Sequence, residues 1–315
     1  MVEEKNVHLS CGMEKLNGGE NYLKSMKRTQ QILVILSIVL MAPFFMYGAW
    51  LFIRMFVMDL FIIPSTSMMP TLMPGDKIVV DKTIMGARIY SNFDFNPKGG
   101  KLACWRTNGV RGLRVNDIIV FNYPLHRKHI SFVINNVYCK RCIALPGDSL
   151  SVVKGHFINN NYAGVLGHKE SQDALSLLTD SISMQMETRA YPHDKHLPWT
   201  IFQFGPIYIP RKNDIIRITP REACLYKAIL EWETQKKIKY DWEKGSVLAD
   251  GKEFTSHRFL HNYYFVAGDN VQDSRDSRYW GLLPEDYIVG VVRIILYSVD
   301  SQTNMWRSNR WLKKI

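Results

Sequence analysis

Between Ile32 and Ile53 the chain runs through 22 residues without a charged side chain (ILVILSIVLMAPFFMYGAWLFI), its only long apolar run. At about 1.5 Å rise per residue, such a helix matches a hydrocarbon core about 30 Å thick. A cleaved secretory signal fits less well. Its apolar region spans about 7 to 15 residues and ends at a small-residue cleavage site, whereas here Arg54 and more apolar sequence follow. One retained transmembrane helix is therefore predicted over residues 32–53, with Pro43 tolerated as a kink. Lys24, Lys27 and Arg28 crowd its N-terminal flank while Arg54 stands nearly alone on the other side. The bias of basic residues toward the cytoplasm then places residues 1–31 inside, and everything after residue 54 outside.

Charged residues make up 22% and hydrophobic residues 46% of the 315, an ordinary globular balance. The net charge of +11 and pI near 9.3 would suit nucleic acid or an anionic membrane surface. The apolar run decides for the membrane. Nucleic acid is the weakest reading, because the bases are scattered and lie on the outer side. Of the five cysteines, Cys11 falls in the cytoplasmic tail; Cys104, Cys139, Cys142 and Cys224 fall on the oxidising side, where an even number can pair in ways the spacing leaves open. Cys139 and Cys142 form a CxxC, but on a strand positions i and i+3 face opposite ways, and no second Cys/His pair completes a four-ligand set. No metal and no cofactor is expected.

Residues 1–31 read as a tail without periodicity. Met55 to Ile63 is rich in Phe, Val and Ile, as in a buried strand. Strands are also predicted at Asp76 to Lys82, Asp117 to Tyr123, Val137 to Ile143, Tyr263 to Ala267 and Tyr287 to Tyr297, with a long loop over Asn92 to Asn116. Alternation along Val137 to Ile143 puts Lys140 on one face with Tyr138 and Cys142. From residue 151 to 262 the character changes: Gly155 to Gln172 reads as polar loop, Pro206 to Pro210 as strand-like, and the region as an α+β insertion or second small domain. One helix there is well signalled, with Thr219 as N-cap, Pro220 at the first position and Glu222 closing a capping box ahead of the Leu225, Ile229, Trp232 stripe. The tail from Trp306 to Ile315 interleaves tryptophans with bases, which suits either a membrane interface or a packed amphipathic end.

Three polar islands stand at strand ends. The first, Pro64 to Leu72 (PSTSMMPTL), brackets two serines between prolines. A hydroxyl needs a base to become a nucleophile. None of the nine histidines lies near these islands, so a base would have to be a lysine, and the second island holds Lys140 beside Arg141. The lysine pKa, about 10.4 in model peptides, must then fall by roughly 3 units, about 4 kcal/mol, which burial can supply. The third is the loop from Gly268 to Pro284.

Together the three resemble the bacterial type I signal peptidase family, membrane-anchored serine proteases that remove signal peptides. Pro64 to Leu72 matches the family's P-S-x-S-M-x-P-T-L. Tyr138 to Asp148 matches Y-x-K-R-x-x-G-x-P-G-D with Ala144 in place of the first glycine, and Gly268 to Gly281 matches G-D-N-x-x-x-S-x-D-S-R-Y-W-G. The resemblance covers most of residues 55–150 and 263–300. It implies a mostly β catalytic domain of antiparallel sheet, made of residues 54–150 and 263–315 and carrying the insertion 151–262. It further implies Ser67 as nucleophile, Lys140 as general base, the Ser67 N–H and Ser65 hydroxyl as oxyanion-hole donors, and Ser274 as the group that orients the lysine. Arg141, Asp269, Asp276 and Arg278 match charged residues that brace the site, Asp276 with Arg278 as an ion pair. The expected partners are preproteins with small residues before the cleavage point, membrane lipid and the secretion machinery, at the bacterial cytoplasmic membrane with the catalytic domain on its outer side. Two alternatives remain open: a specialised relative that processes a few pilin- or conjugation-type substrates, and a catalytically silent envelope protein that binds peptides.

Overall fold

A computed structural model describes residues 28, 30–92, 96–126, 128–178, 188–300 and 302–315. Cys11, Lys24, Lys27 and almost all of the predicted tail lie outside these. Helix α1, Gln30–Val57, is the one helix among the described residues long and apolar enough to cross a membrane. It outruns the predicted span at both ends, closing in a π-helical turn at Ile53–Val57. Leu36, Val39, Phe44 and Phe52 on different sides of it are all exposed, as befits a helix apolar all round. The chain divides into two compact units at Arg54 and Met55.

The second unit is built on one antiparallel sheet. Its strands are β1 (Met58–Ile62), β2 (Asp76–Asp81), β3 (Ile118–Asn122), β4 (Val137–Ala144), β5 (Tyr263–Ala267), β6 (Leu283–Pro284), β7 (Ile288–Ser298) and β8 (Lys313–Lys314). The spatial order is β1-β2-β7-β3-β4-β5-β6, with β8 added to β7. The predicted strand over Met55 to Ile63 needs correction. Its first residues belong to α1, and β1 is an edge strand with Met58, Leu60 and Ile62 exposed rather than buried. It pairs only with β2, and nothing in local composition separates an apolar edge strand from a central one.

Both faces of the sheet are covered. Ile63, Met68, Leu72, Ile78, Val80, Ile118 and Val120 pack together with Val137 and Cys139 against them. Ile119, Phe121, Cys142, Tyr264 and Val266 pack with Tyr138 in a separate cluster. The predicted alternation along β4 is thereby met: Val137 and Cys139 point one way, Tyr138 and Cys142 the other. Cys104, Cys139, Cys142 and Cys224 are all free thiols.

Within the predicted loop at 92–116, Cys104–Arg106 pairs with Arg88–Tyr90 as a short two-stranded ribbon. Residues 149–262 hold further small sheets, helix α2 (Lys169–Ser176) and helix α3 (Pro220–Thr234), whose Thr219/Glu222 capping box forms as predicted. Gly155 to Gln172 is not the loop its polarity indicated. It contains the strand His156–Asn159 and the start of α2, because Phe157 and Leu175 reach a core that the polar residues between them hide from a pattern count. That same core includes Ile143 and Ala144 of β4 and Phe265 and Ala267 of β5. The polar loop from Gly268 likewise holds a short helix, α4 (Ser277–Trp280), capped by the Asp276 carboxylate.

Candidate active site

The loop between β1 and β2 is shut at its base by two backbone hydrogen bonds, Ile63 N to Asp76 O and Gly75 N to Ile63 O, both 2.9 Å. Met68 and Leu72, one helical turn apart, are 1% and 0% exposed and pin the loop to the core. Ser67, next to the buried Met68, is held half-buried while Ser65 stays exposed. A hydroxyl fixed by a buried neighbour loses little further freedom on reacting.

Lys140 projects from β4, 73 residues away in sequence, and its Nζ lies 2.5 Å from Ser67 Oγ. The side chain is 4% exposed. Burial pushes its pKa below the ordinary lysine value, against the opposing pull of the Asp276 carboxylate. Loss of hydration penalises the charged form, so the amine is biased toward the state that accepts a proton. Ser65 Oγ lies 3.3 Å from Ser67 Oγ. These groups open on a cleft of about 400 Å³ whose apolar lining includes Ile63, Met68, Val137 and Cys139. Burial pushes the Cys139 thiol up to about 12, so it lines the cleft as a small neutral group.

The loop after β5 clamps the serine loop from above. Asn270 N donates to Ser67 O (3.1 Å) and Thr66 Oγ1 to Asp273 Oδ2 (2.6 Å). Gly268 has no room for a side chain: a Cβ there would sit 2.4 Å from Ser67 O and 2.2 Å from Ser274 Oγ. Ser274 is 5% exposed, and its hydroxyl acts on the Asp276 carboxylate beneath the site, helping to hold it ionised.

Two ion pairs fix the loop, one part-buried and one buried. Arg141 donates to both oxygens of Asp269 at 2.7 and 2.6 Å, to Asn116 O and to Thr71 Oγ1. The expected Asp276–Arg278 pair is present and wholly buried, bidentate at 2.9 and 2.8 Å, and Asp276 also accepts from Gly268 N. Burial alone would push the Asp276 carboxyl up; the Arg278 guanidinium and the Gly268 N–H hold it below the usual carboxylate range. A third pair was not foreseen. Arg310, from the tail read as a packed end or a membrane interface, donates to Asp76 Oδ1 at 2.9 Å and to Thr71 O at 2.9 Å, anchoring the far end of the serine loop. Thr71 and Asn270 occupy matched positions of the motifs and Asp273 an unspecified one, and the sequence reading named none of them; nothing in the sequence singled out Arg310 from the neighbouring bases.

Of the eight residues drawn from the motifs, Ser65, Ser67 and Lys140 line one cleft, while Arg141, Asp269, Ser274, Asp276 and Arg278 tie β4 and the loop after β5 together next to it. Among the described residues, no cluster of three or more His, Cys, Asp or Glu side chains is arranged to hold a metal ion. A buried amine in contact with a half-buried hydroxyl can take and return a proton, as general-base catalysis requires.

Comparison with known proteins is consistent with that chemistry. The profile of the family described as signal peptidase, peptidase S26, matches residues 28–297. A signal peptidase I of Buchnera aphidicola subsp. Baizongia pistaciae is 29% identical over 265 residues, which cover 81% of this chain and 74% of that one. Signal peptidase I of Buchnera aphidicola subsp. Acyrthosiphon pisum is 28% identical over 87% of this chain and 80% of its own. Signal peptidase I of Aquifex aeolicus is 26% identical over 79% and 80% respectively.

Proposed function

Because the chain belongs to the signal peptidase family, peptidase S26, we propose that it cleaves preproteins through a dyad in which Ser67 is the nucleophile and Lys140 the base. The activity is that of a serine endopeptidase that removes signal peptides, and one apolar helix of membrane-spanning length accompanies it. The observation that carries the dyad is the buried Lys140 Nζ at 2.5 Å from Ser67 Oγ.

In the forward step Lys140 takes the Ser67 proton as Oγ bonds to the carbonyl carbon before the scissile bond. The oxyanion that forms is met by the Ser65 hydroxyl and the Ser67 N–H, each worth about 3–4 kcal/mol when preorganised. Collapse breaks the C–N bond, and the Lys140 proton passes to the leaving amine. Water, deprotonated by Lys140, then hydrolyses the acyl-enzyme and frees Ser67. Ser274 positions Lys140, its buried hydroxyl offering the amine a partner when Ser67 is acylated. Arg141–Asp269 and Asp276–Arg278 brace the loops that hold both reacting groups. The apolar cleft selects small residues before the cut. Residues 1–31 lie in the cytoplasm, the catalytic unit lies outside the cytoplasmic membrane, and substrate arrives from the secretion machinery.

The purified chain in detergent should cut a preprotein after a small residue, as read from the mass of the new N-terminus. Activity requires neutral Lys140, so kcat/KM should fall as pH drops through its lowered pKa and hold above it. The Asp276 carboxylate raises the Lys140 pKa, so Asp276→Asn should move the acid limb to lower pH, and a limb that does not move would count against Lys140 as the titrating group. Gly268→Ala should cut kcat about a hundredfold, since its Cβ must displace the serine loop and misplacement of about 1 Å has that effect. Overpacking should cost about 1–3 kcal/mol in stability, and kinetics beside a thermal melt would separate the two.

A further inference from the structure

A second cavity, of about 900 Å³, lies beside the catalytic cleft. It is framed by the hairpin of Leu125–His126 and His129–Ile130, the turn at 191–193, and α3. Two rings connect the spaces. Tyr138 lines the cleft and stacks at 4.9 Å on Tyr123, which lines the cavity with Trp280 edge-on to it at 5.7 Å. Bases outnumber acids around the rim, although the Asp194 carboxylate lies against the lining residues Cys224 and Tyr240. Lys128, Lys227 and Lys237 are exposed around it, whereas its single lining carboxylate, Glu231, already accepts from Ile238 N at 3.1 Å and lies 3.9 Å from His129.

The chemistry sets the direction of a bound substrate. Lys140 hands its proton to the leaving amine, so the chain after the scissile bond departs on the Lys140 side. The acyl part lies toward Ser65 and the apolar Ile63 and Met68. Lys140 Nζ is 6.0 Å from the Tyr138 ring centre, and the Tyr123 ring lies 4.9 Å beyond. An extended chain at about 3.3 Å per residue covers that path in about three or four residues.

Given the dyad proposed above, on which this direction depends, we propose that the cavity receives the first residues of the mature protein and that its lysines select acidic side chains there. The rings of Tyr123 and Tyr138 carry the backbone across, and Lys227 and Lys237 supply the charge complement. Such exposed pairs are individually weak and screened by salt, so the effect is a preference rather than a requirement.

The test uses the full chain in detergent and three preproteins identical through the cleavage point, with Glu, Gln or Lys at the third to sixth mature positions. At low salt kcat/KM should favour the Glu substrate over the Gln substrate by about five- to tenfold, narrowing once the Debye length falls to about 3 Å in about 1 M salt. The Lys227→Glu/Lys237→Glu double variant should lose or invert that preference while cutting the Gln substrate within about twofold of the parent rate. Lys252→Glu, exposed and away from the cavity, should change nothing. Absence of a parental preference, or a preference that survives the double variant, overturns the assignment. If the double variant loses all three substrates equally, Lys227→Gln/Lys237→Gln decides: a lost preference supports the cavity and a retained one refutes it. If the parent cuts none of the three, the dyad itself fails and the cavity's role falls with it.

Discussion

Ser67→Ala is expected to reduce preprotein cleavage by at least about 10⁴-fold, to the level left by binding and the oxyanion donors alone. The hydroxyl is the atom that would bond to the substrate carbonyl, and it is the one that Lys140 Nζ meets at 2.5 Å, with Ser65 Oγ 3.3 Å to its side. The fold should hardly notice. Ser67 is half-buried, and the loop is kept in place by Met68, Leu72 and the Asn270 N–H to Ser67 O bond, none of which involves the hydroxyl. Circular dichroism and a melting curve should match the parent within a few degrees, since one such hydrogen bond contributes about 1 kcal/mol. Cleavage that survives in a folded Ser67→Ala chain would remove the nucleophile assignment.

Lys140→Met should be as inactive, yet at least as stable as the parent. Methionine fills the space of the buried stem without needing hydration. The sign of the stability change follows from the lowered pKa. The folded state binds fewer protons at Lys140 than the unfolded state does between the lowered pKa and the ordinary lysine value of 10.5, so the parent gains stability as pH rises through that window. The methionine variant has no such term. Its advantage in melting temperature should be largest at low pH and shrink as pH climbs toward 10.5. A variant destabilised at every pH would mean that Lys140 is held by favourable contacts rather than buried against its hydration, and that its proton is not easily lost. Residual cleavage by the folded variant would transfer the base role elsewhere.

What the amino-acid sequence determined by itself is what short periods and fixed spacing encode. The length of the uncharged run set the apolar helix, and the alternation from Val137 to Ile143 set which side of β4 bears Lys140. The resemblance carried by three short motifs pointed to Ser67, Lys140 and the loop near them as the proposed site. The capping box at Thr219 placed the start of α3 at Pro220. These signals are local, so a chain read in windows contains them. Tertiary structure alone decided the rest. The edge position of β1 and the strand within 155–172 depend on what lies across from them, not on their own composition. The clamp between Thr66 and Asp273 joins residues 207 apart, and Asp76 meets Arg310 across 234. No local pattern distinguishes Arg310 from the other bases of its tail, because a buried ion pair is defined by the desolvation both partners share only after the chain has closed. The lowered pKa of Lys140 is of the same kind: its residue type was legible, but the burial that lowers it exists only once the folded chain has closed around the side chain.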